Sequence, residues 1–272
     1  MMKLSHNDAS IAFRVSGDSG HPVVLIQGSG AVGEGWRHQV PSLSAAHRVL
    51  TFDNRGVGES TGPTHNLSVE LMAGDTLALM DHLGWSTAHV VGHSLGGLIA
   101  QEIAIAAPER VTSLVLASTF SRGRHITKMS GKMAWLSIKS MIGTKQSRRQ
   151  AFIDMAFSKA WQGDRSTEAL HEVVSPIFGR DLATQPPIVR KQVFSARRHN
   201  RYDDLKAIAA PSLICHGDRD IIASIAGARE LAESIQNSTL DVYEGFGHAI
   251  TVEAADRFNQ SVLNHLAEAE VA

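Results

Sequence analysis

The chain predicts an α/β fold: a mostly parallel, doubly wound sheet with helices on both faces and an inserted helical segment. Three observations carry this. Short apolar runs alternate with stretches of helical periodicity. The runs are continuously apolar instead of alternating, as strands buried on both faces must be. The alternation then stops between about Ser121 and Tyr202, where no convincing strand occurs.

Ile11 to Val15 reads as an early strand. Val23-Val24-Leu25-Ile26 is a buried strand that runs into a glycine-rich turn, Gly28-Ser29-Gly30. Arg48 to Asp53 is the next strand. Leu67 to Leu83 is a helix, with Asn66 or Ser68 as its N-cap and Gly84 just past its end. Ala88 to Val91 is a strand, Leu95 to Ala107 a helix and Val111 to Leu116 a strand. Near the C-terminus come a strand (Ser212 to His216), a helix (Ala223 to Ile235), a last strand (Thr239 to Tyr243) and an amphipathic helix from about Ile250 to Glu268. Residues 1–120 and 203–272 thus form the α/β core, and 121–202 a helical cap over the carboxyl edge of the sheet. The insertion carries apolar residues at helical spacing: Met129, Met133 and Leu136; Phe152, Met155 and Ala156; Leu170, Val173 and Val174. Most must pack the cap onto the body, yet an apolar cavity between cap and core is a natural ligand site.

The 272 residues suffice for one large α/β domain, and the net charge of −1 with short like-charge runs gives no footprint for nucleic acid. The basic stretch from Arg190 to Arg201 reads as a solvated helix face. Cys215 is the single cysteine, so no intrachain disulfide exists; it lies in an apolar run and reads as an inert strand residue. Met1 to Gly20 is polar and lacks the apolar core of a signal peptide. No run approaches the ~18 uninterrupted apolar residues of a membrane span. A cytoplasmic protein is expected.

The chemistry centres on Gly92-His93-Ser94-Leu95-Gly96, a Gly-x-Ser-x-Gly pattern between a strand and a helix. That context calls for a sharp, strained turn with the serine hydroxyl clear of the sheet and glycines where side chains would collide. A serine hydroxyl is a poor nucleophile without a base, and the base needs an orienting group. Of 14 histidines, position singles out His248, in the turn Gly245-Phe246-Gly247-His248 after the last strand. The loop His216-Gly217-Asp218-Arg219-Asp220 offers two acids, Asp218 and Asp220.

In these motifs the chain resembles the α/β-hydrolases of the single-domain, cap-bearing type. Gly92 to Gly97 is similar to their nucleophile turn, and Asp53-Asn54-Arg55-Gly56-Val57-Gly58-Glu59-Ser60 to their Asp-x-Arg-Gly-x-Gly-x-Ser loop. His216 to Asp220 resembles their His-Gly-x-x-Asp segment, and Gly247-His248 their triad histidine. The resemblance implies Ser94 as nucleophile, His248 as base and Asp220 as the triad acid, with Asp218 bracing the loop. It implies an oxyanion hole from the backbone N–H groups of Leu95 and Ser29. The usual His-Gly pair there is Gln27-Gly28, and the common proline is absent; Gln27 is left to brace the loop by hydrogen bonding.

His93 is expected to turn away from the pocket in a supporting role. Asp53, Arg55 and Ser60 read as a locally hydrogen-bonded loop. His65, His82, His125 and His199 have no partner at metal-ligand spacing, so no metal is assigned. Gly28-x-Gly30-x-x-Gly33, with Asp53 about 20 residues on, imitates a dinucleotide fingerprint; the hydrolase motifs outweigh it, and no cofactor is expected. The expected function is a serine hydrolase acting on a small ester, lactone or thioester with an apolar part. Residue 94 is not a carboxylate, which disfavours haloalkane dehalogenase and epoxide hydrolase chemistry. The elbow also lacks the Gly-Gly-Ser-Trp-Gly of prolyl iminopeptidases. Alternatives on the same scaffold are a carbon–carbon hydrolase of the meta-cleavage type, suggested by Gly28-Ser29-Gly30-Ala31 with Gly33 and Trp36, a non-turnover ligand sensor, and a cofactor-free perhydrolase or oxygenase. Oligomeric state is not readable from the sequence.

Overall fold

A computed structural model describes residues 1–123 and 130–271; His125 and Met129 lie outside them. Among the described residues, eight strands form one sheet in the order β1-β2-β4-β3-β5-β6-β7-β8. They are β1 (Met2–His6), β2 (Ala9–Ser16), β3 (Pro22–Ile26), β4 (Arg48–Phe52), β5 (Ala88–His93), β6 (Val111–Ala117), β7 (Ser212–Gly217) and β8 (Ser238–Tyr243). From β4 to β8 every pairing is parallel; β2 pairs antiparallel with both β1 and β4.

Strand β1 has no counterpart in the apolar pattern. It is a largely exposed edge strand of sequence MKLSH, so hydropathy does not mark it. Its signal is the turn that follows: Asn7 and Asp8 both take positive φ (45° and 58°), the backbone a two-residue hairpin requires.

Alternate residues of each central strand feed opposite faces. Val24 and Ile26 of β3 join Leu50, Val90, Leu114 and Ile214 beneath the helices Val69–His82 and Leu95–Ala106. Val23 and Leu25 join Val49, Val91 and Cys215 beneath the C-terminal helix Ala255–Val271. This double burial explains the unbroken apolar runs. Ser68, rather than Asn66, caps the Val69–His82 helix, its hydroxyl accepting the Leu71 N–H at 3.1 Å, and Gly84 follows with φ of 68°. The single helix expected from Ile250 is two, Ile250–Glu253 and Ala255–Val271, because the backbone leaves helical geometry at Ala254 (φ −125°). Among the described residues no helix is long and apolar enough to cross a membrane.

Between β6 and β7 the chain forms helices over Gly131–Lys139, Lys145–Ala156, Lys159–Gln162, Thr167–Phe178 and Pro187–Arg198. The first four start on hydroxyl caps: Ser130, Thr144, Ser158 and Ser166 each accept a backbone N–H three residues on. Ile153, Phe157, Leu170, Val174 and Ile177 make a separate apolar cluster that closes on Ala31 and Ala249 of the sheet's loops.

Candidate active site

Strands β3 and β5 are neighbours, but the chain leaves β3 towards β4 and leaves β5 towards β6. Such a reversal opens a crevice at the carboxyl ends of the two strands, where ligands of open α/β sheets bind. Ser94 stands there at the end of β5, with φ 55° and ψ −117°. For a residue with a Cβ this is strained, so the surroundings must hold it. They do so at its backbone. Ser94 N–H donates to Ala117 O at 2.9 Å, and its carbonyl accepts from Gly97 N–H and the Thr119 hydroxyl at 2.9 and 2.8 Å. The turn closes only because residues 92 and 96 are glycines. A Cβ on Gly92 would overlap the Gly96 carbonyl, and one on Gly96 the Ile26 carbonyl.

His248 and Asp220 arrive from the ends of β8 and β7. The His248 Nδ1–H donates to Asp220 Oδ2 at 2.7 Å. Asp220 Oδ1 accepts the N–H groups of Ile222 and Ala223 at 2.8 and 2.9 Å, so both carboxylate oxygens are committed. Burial pushes the Asp220 pKa up, but His248, by charge and hydrogen bond, and His216 outweigh it and leave the carboxyl below its ordinary value. His216 stands 3.6 Å from the same Asp220 oxygen and donates its Nε2–H to Ala223 O at 2.9 Å. Asp218 is turned elsewhere, accepting the Gly245 N–H at 2.7 Å. Ser94 and His248 line one cavity, with no hydrogen bond between their side chains.

The loop after β3 forms the facing wall. A Cβ on Gly28 would lie 3.1 Å from the Ser94 Cβ, which measures how closely this loop passes the elbow. Gln27 folds back so that its Oε1 accepts the Gly28 N–H at 3.1 Å, while Asn54 Nδ2 donates to its carbonyl at 3.0 Å. Among the described residues, the backbone N–H groups of Ser29 and Leu95 donate to no protein acceptor. Both belong to the cavity lining, beside Ser94.

The cavity measures about 560 Å³ and is mostly apolar. Met133, Phe152, Met155 and Val193 of the inserted helices line it, opposite Ser94 and His248. Leu170 and Val174 pack inside the insertion instead. Arg190 and Arg197, exposed and two turns apart on one face of the Pro187–Arg198 helix, also border the cavity; neither makes an ion pair among the described residues.

With this geometry in view, the sequence model of the alpha/beta hydrolase fold matches residues 21–255. The chain belongs to the α/β-hydrolase fold family. It is 31% identical over 246 residues to a RutD protein of Caulobacter sp. (strain K31) that bears the name carbamate hydrolase, covering 90% of each chain. It is 32% identical over 254 residues to BpoC of Mycobacterium tuberculosis (strain ATCC 25618 / H37Rv), named as a non-heme bromoperoxidase, covering 92% of this chain and 95% of that one. The crystal structure of the enol-lactonase from Burkholderia xenovorans LB400 superposes with a TM-score of 0.82 over 98% of this chain and 100% of that chain; at 23% identity this speaks for the fold.

Of the other residues of this α/β-hydrolase marked in the sequence, Asp53 and His93 take the supporting roles expected of them, while His199 finds partners that its spacing does not announce. The His93 Nε2–H donates to the His248 carbonyl at 3.0 Å, the supporting role expected of it, and the residue also borders the cavity. Burial, then the neighbouring His248, pushes the His93 pKa down to about 3. Asp53, in the loop read as locally hydrogen-bonded, accepts the N–H groups of Gly33 and Glu59 at 2.7 and 2.9 Å. Its carboxylate is thereby used inside the protein. His199, unpartnered by sequence spacing, lies with Glu70 and Glu102 at metal-ligand separation, and His47, His89 and Glu270 form a second such group; neither lies at the cavity.

Three supporting residues escaped the sequence reading. Gln192, fully buried in the Pro187–Arg198 helix, accepts the Gly30 N–H at 2.8 Å. Arg180 donates to the Gly30 carbonyl at 2.6 Å. Glu253 accepts the N–H groups of Gly247 at 3.1 Å and Ser158 at 3.0 Å, joining the His248 turn to the insertion. None sits in a motif; each acts over a long chain separation that residue type alone does not announce.

Proposed function

We propose that the chain is a serine hydrolase of small carboxylic esters, lactones or thioesters with an apolar part, and that residues 121–202 act as the cap that selects them. One observation carries the reading: a serine held at positive φ opens on the same apolar cavity as a histidine bonded at 2.7 Å to a buried aspartate. Ser94 Oγ attacks the substrate carbonyl while His248 Nε2 takes its proton. Asp220 keeps the imidazole proton on Nδ1 and stabilises the imidazolium. The tetrahedral oxyanion lies against the N–H groups of Leu95 and Ser29. His248 then protonates the departing alcohol or thiol, leaving an acyl-Ser94. A water that loses its proton to His248 releases the acid and restores the serine. The Ser94–His248 hydrogen bond closes when substrate loads, as catalytic hydrogen bonds in free enzymes often do.

The test is the purified protein with short-chain nitrophenyl esters. A burst followed by turnover is expected, and Ser94→Ala is expected to lose about 10⁵-fold or more in kcat while keeping its thermal transition. Activity retained in Ser94→Ala overturns the mechanism. Arg190 and Arg197, without an ion-pair partner among the described residues, favour one second reading, a carbon–carbon hydrolase whose substrate carries a carboxylate. Release of a dienoate from a vinylogous diketone acid, with no ester turnover, would select it.

A further inference from the structure

At the amino-terminal edge of the sheet, the end away from the cavity, three side chains from distant parts of the chain meet. His47 precedes β4, His89 lies in β5, and Glu270 is near the end of the Ala255–Val271 helix. Glu270 Oε1 is 3.3 Å from His47 Nε2 and 3.2 Å from His89 Nε2, and all three ligand atoms lie within 4.8 Å of one another. Around a metal with bonds of about 2.0 Å, tetrahedral ligand atoms stand about 3.3 Å apart. The two measured edges fit that spacing.

The outer faces of the rings are also arranged for ligation. His47 Nδ1 is 3.3 Å from the Leu43 carbonyl, which can only accept, so Nδ1 carries the hydrogen and Nε2 of the neutral ring presents a lone pair. His89 Nδ1 is 2.8 Å from the Ser113 hydroxyl, which both donates and accepts, and its Nε2 is within hydrogen-bond distance of Glu270 Oε1 at 3.2 Å; an ion bound there takes the ring with Nδ1–H on Ser113 and the Nε2 lone pair inward. Ligating histidines are typically held by such outer partners. In that tautomer the two imidazole lone pairs and the carboxylate oxygen face one point, where a cation takes the place of the ring proton. Arg48, the next residue to His47, does not fill that role, because its Nε donates to Gly20 O at 3.1 Å and its guanidinium lies over Trp85. The group of Glu70, Glu102 and His199 differs here: Arg201 Nε stands 3.1 Å from Glu102 Oε2 and already places a cation against that carboxylate.

We propose that His47, His89 and Glu270 bind a divalent transition metal, with Zn²⁺ best suited to two imidazoles and a carboxylate. Both rings are buried and Glu270 is half-exposed, so a water completes the set from the solvent side. The ion would fasten the last helix to the starts of β4 and β5. It takes no part in ester hydrolysis at the other edge, and it stands or falls apart from that proposal.

The test is titration of the full chain with Zn²⁺ by calorimetry, with Co²⁺ absorption as a second readout, in the wild type, Glu270→Gln and His47→Gln. Glu270→Gln changes a half-exposed side chain at constant size, which keeps the comparison in a folded protein. The expected result is one saturable site that raises the melting temperature, with binding weakened more than about tenfold in both variants. Absence of saturable binding by the wild type, or wild-type affinity in either variant, overturns the three-ligand site.

Discussion

Replacing Asp220 by asparagine tests the proposed relay at the point where the structure constrains the outcome most. The new amide must choose which atom faces which partner. Oδ1 accepts two backbone N–H groups, from Ile222 and Ala223 at 2.8 and 2.9 Å. An NH₂ group there would set donors against donors in a buried site, so the amide oxygen stays and the NH₂ turns to His248. His248 Nδ1, 2.7 Å away, must then accept, and the imidazole proton moves to Nε2, the nitrogen that has to take the Ser94 proton. The fold is kept and the base is disabled. A wrong tautomer of this kind costs about 10⁴-fold in kcat, about 5 kcal/mol of transition-state stabilisation. Asp218→Asn is the matched control: Oδ1 accepts the Gly245 N–H at 2.7 Å, a role an amide oxygen keeps, and a loss below about tenfold is expected. Initial rates on a nitrophenyl ester, with melting curves to show intact fold, measure both. Asp220→Asn within tenfold of wild type, or a larger loss in Asp218→Asn, refutes the reasoning.

Gln192→Ala removes the acceptor of the Gly30 N–H beside the proposed donor Ser29; kcat should fall on the order of tenfold or more with KM little changed, and an unchanged kcat would remove Gln192 from the positioning role. Asp75→Asn breaks the buried pair in which Asp75 receives Arg55 Nε and Nη2 at 2.9 and 2.5 Å. It should cost about 3–5 kcal/mol in denaturant unfolding. Asp81→Asn, at the exposed Arg110 pair, should cost less than about 1 kcal/mol. Equal losses would contradict this ranking of buried over exposed pairs. His93, held down to about 3 against an ordinary 6.5, binds fewer protons folded than unfolded between those values. Its contribution to stability is therefore complete above about pH 6.5 and is lost as the pH falls towards 3. Melting temperatures taken between about pH 7 and pH 5 should drop less in His93→Gln than in the wild type.

What was legible followed from how far apart the cooperating residues lie in the chain. The elbow is a contiguous pattern because Gly92 and Gly96 are forced by overlaps with atoms a few residues away or on the next strand. The central strands are equally plain, since burial on both faces leaves no room for polar alternation. Strand β1 was invisible because an exposed edge strand has no apolar signature; only Asn7-Asp8 hinted at its hairpin. The break at Ala254 lies within an amphipathic stretch and has no glycine or proline to announce it. The supporting role of His93 is legible beside the nucleophile, but its partner, the His248 carbonyl 155 residues on, is not.

The support of the proposed oxyanion loop shows why the hardest part to read is also where selectivity would reside. Gly30 is gripped on both its peptide groups by the insertion, through Gln192 on its N–H and Arg180 on its carbonyl. Val32 N–H bonds to the Ile177 carbonyl at 2.9 Å, adding a third tie. The helices that would shape the substrate cavity therefore also hold the loop that carries Ser29, the proposed oxyanion donor. A cap of this kind is more than a lid with exchangeable lining. A change in its packing made to admit a different acyl chain reaches the oxyanion geometry through Gln192 and Arg180. On the proposed mechanism substrate choice and rate are coupled, and a substitution that widens the cavity from the Pro187–Arg198 helix is expected to change kcat as well as KM.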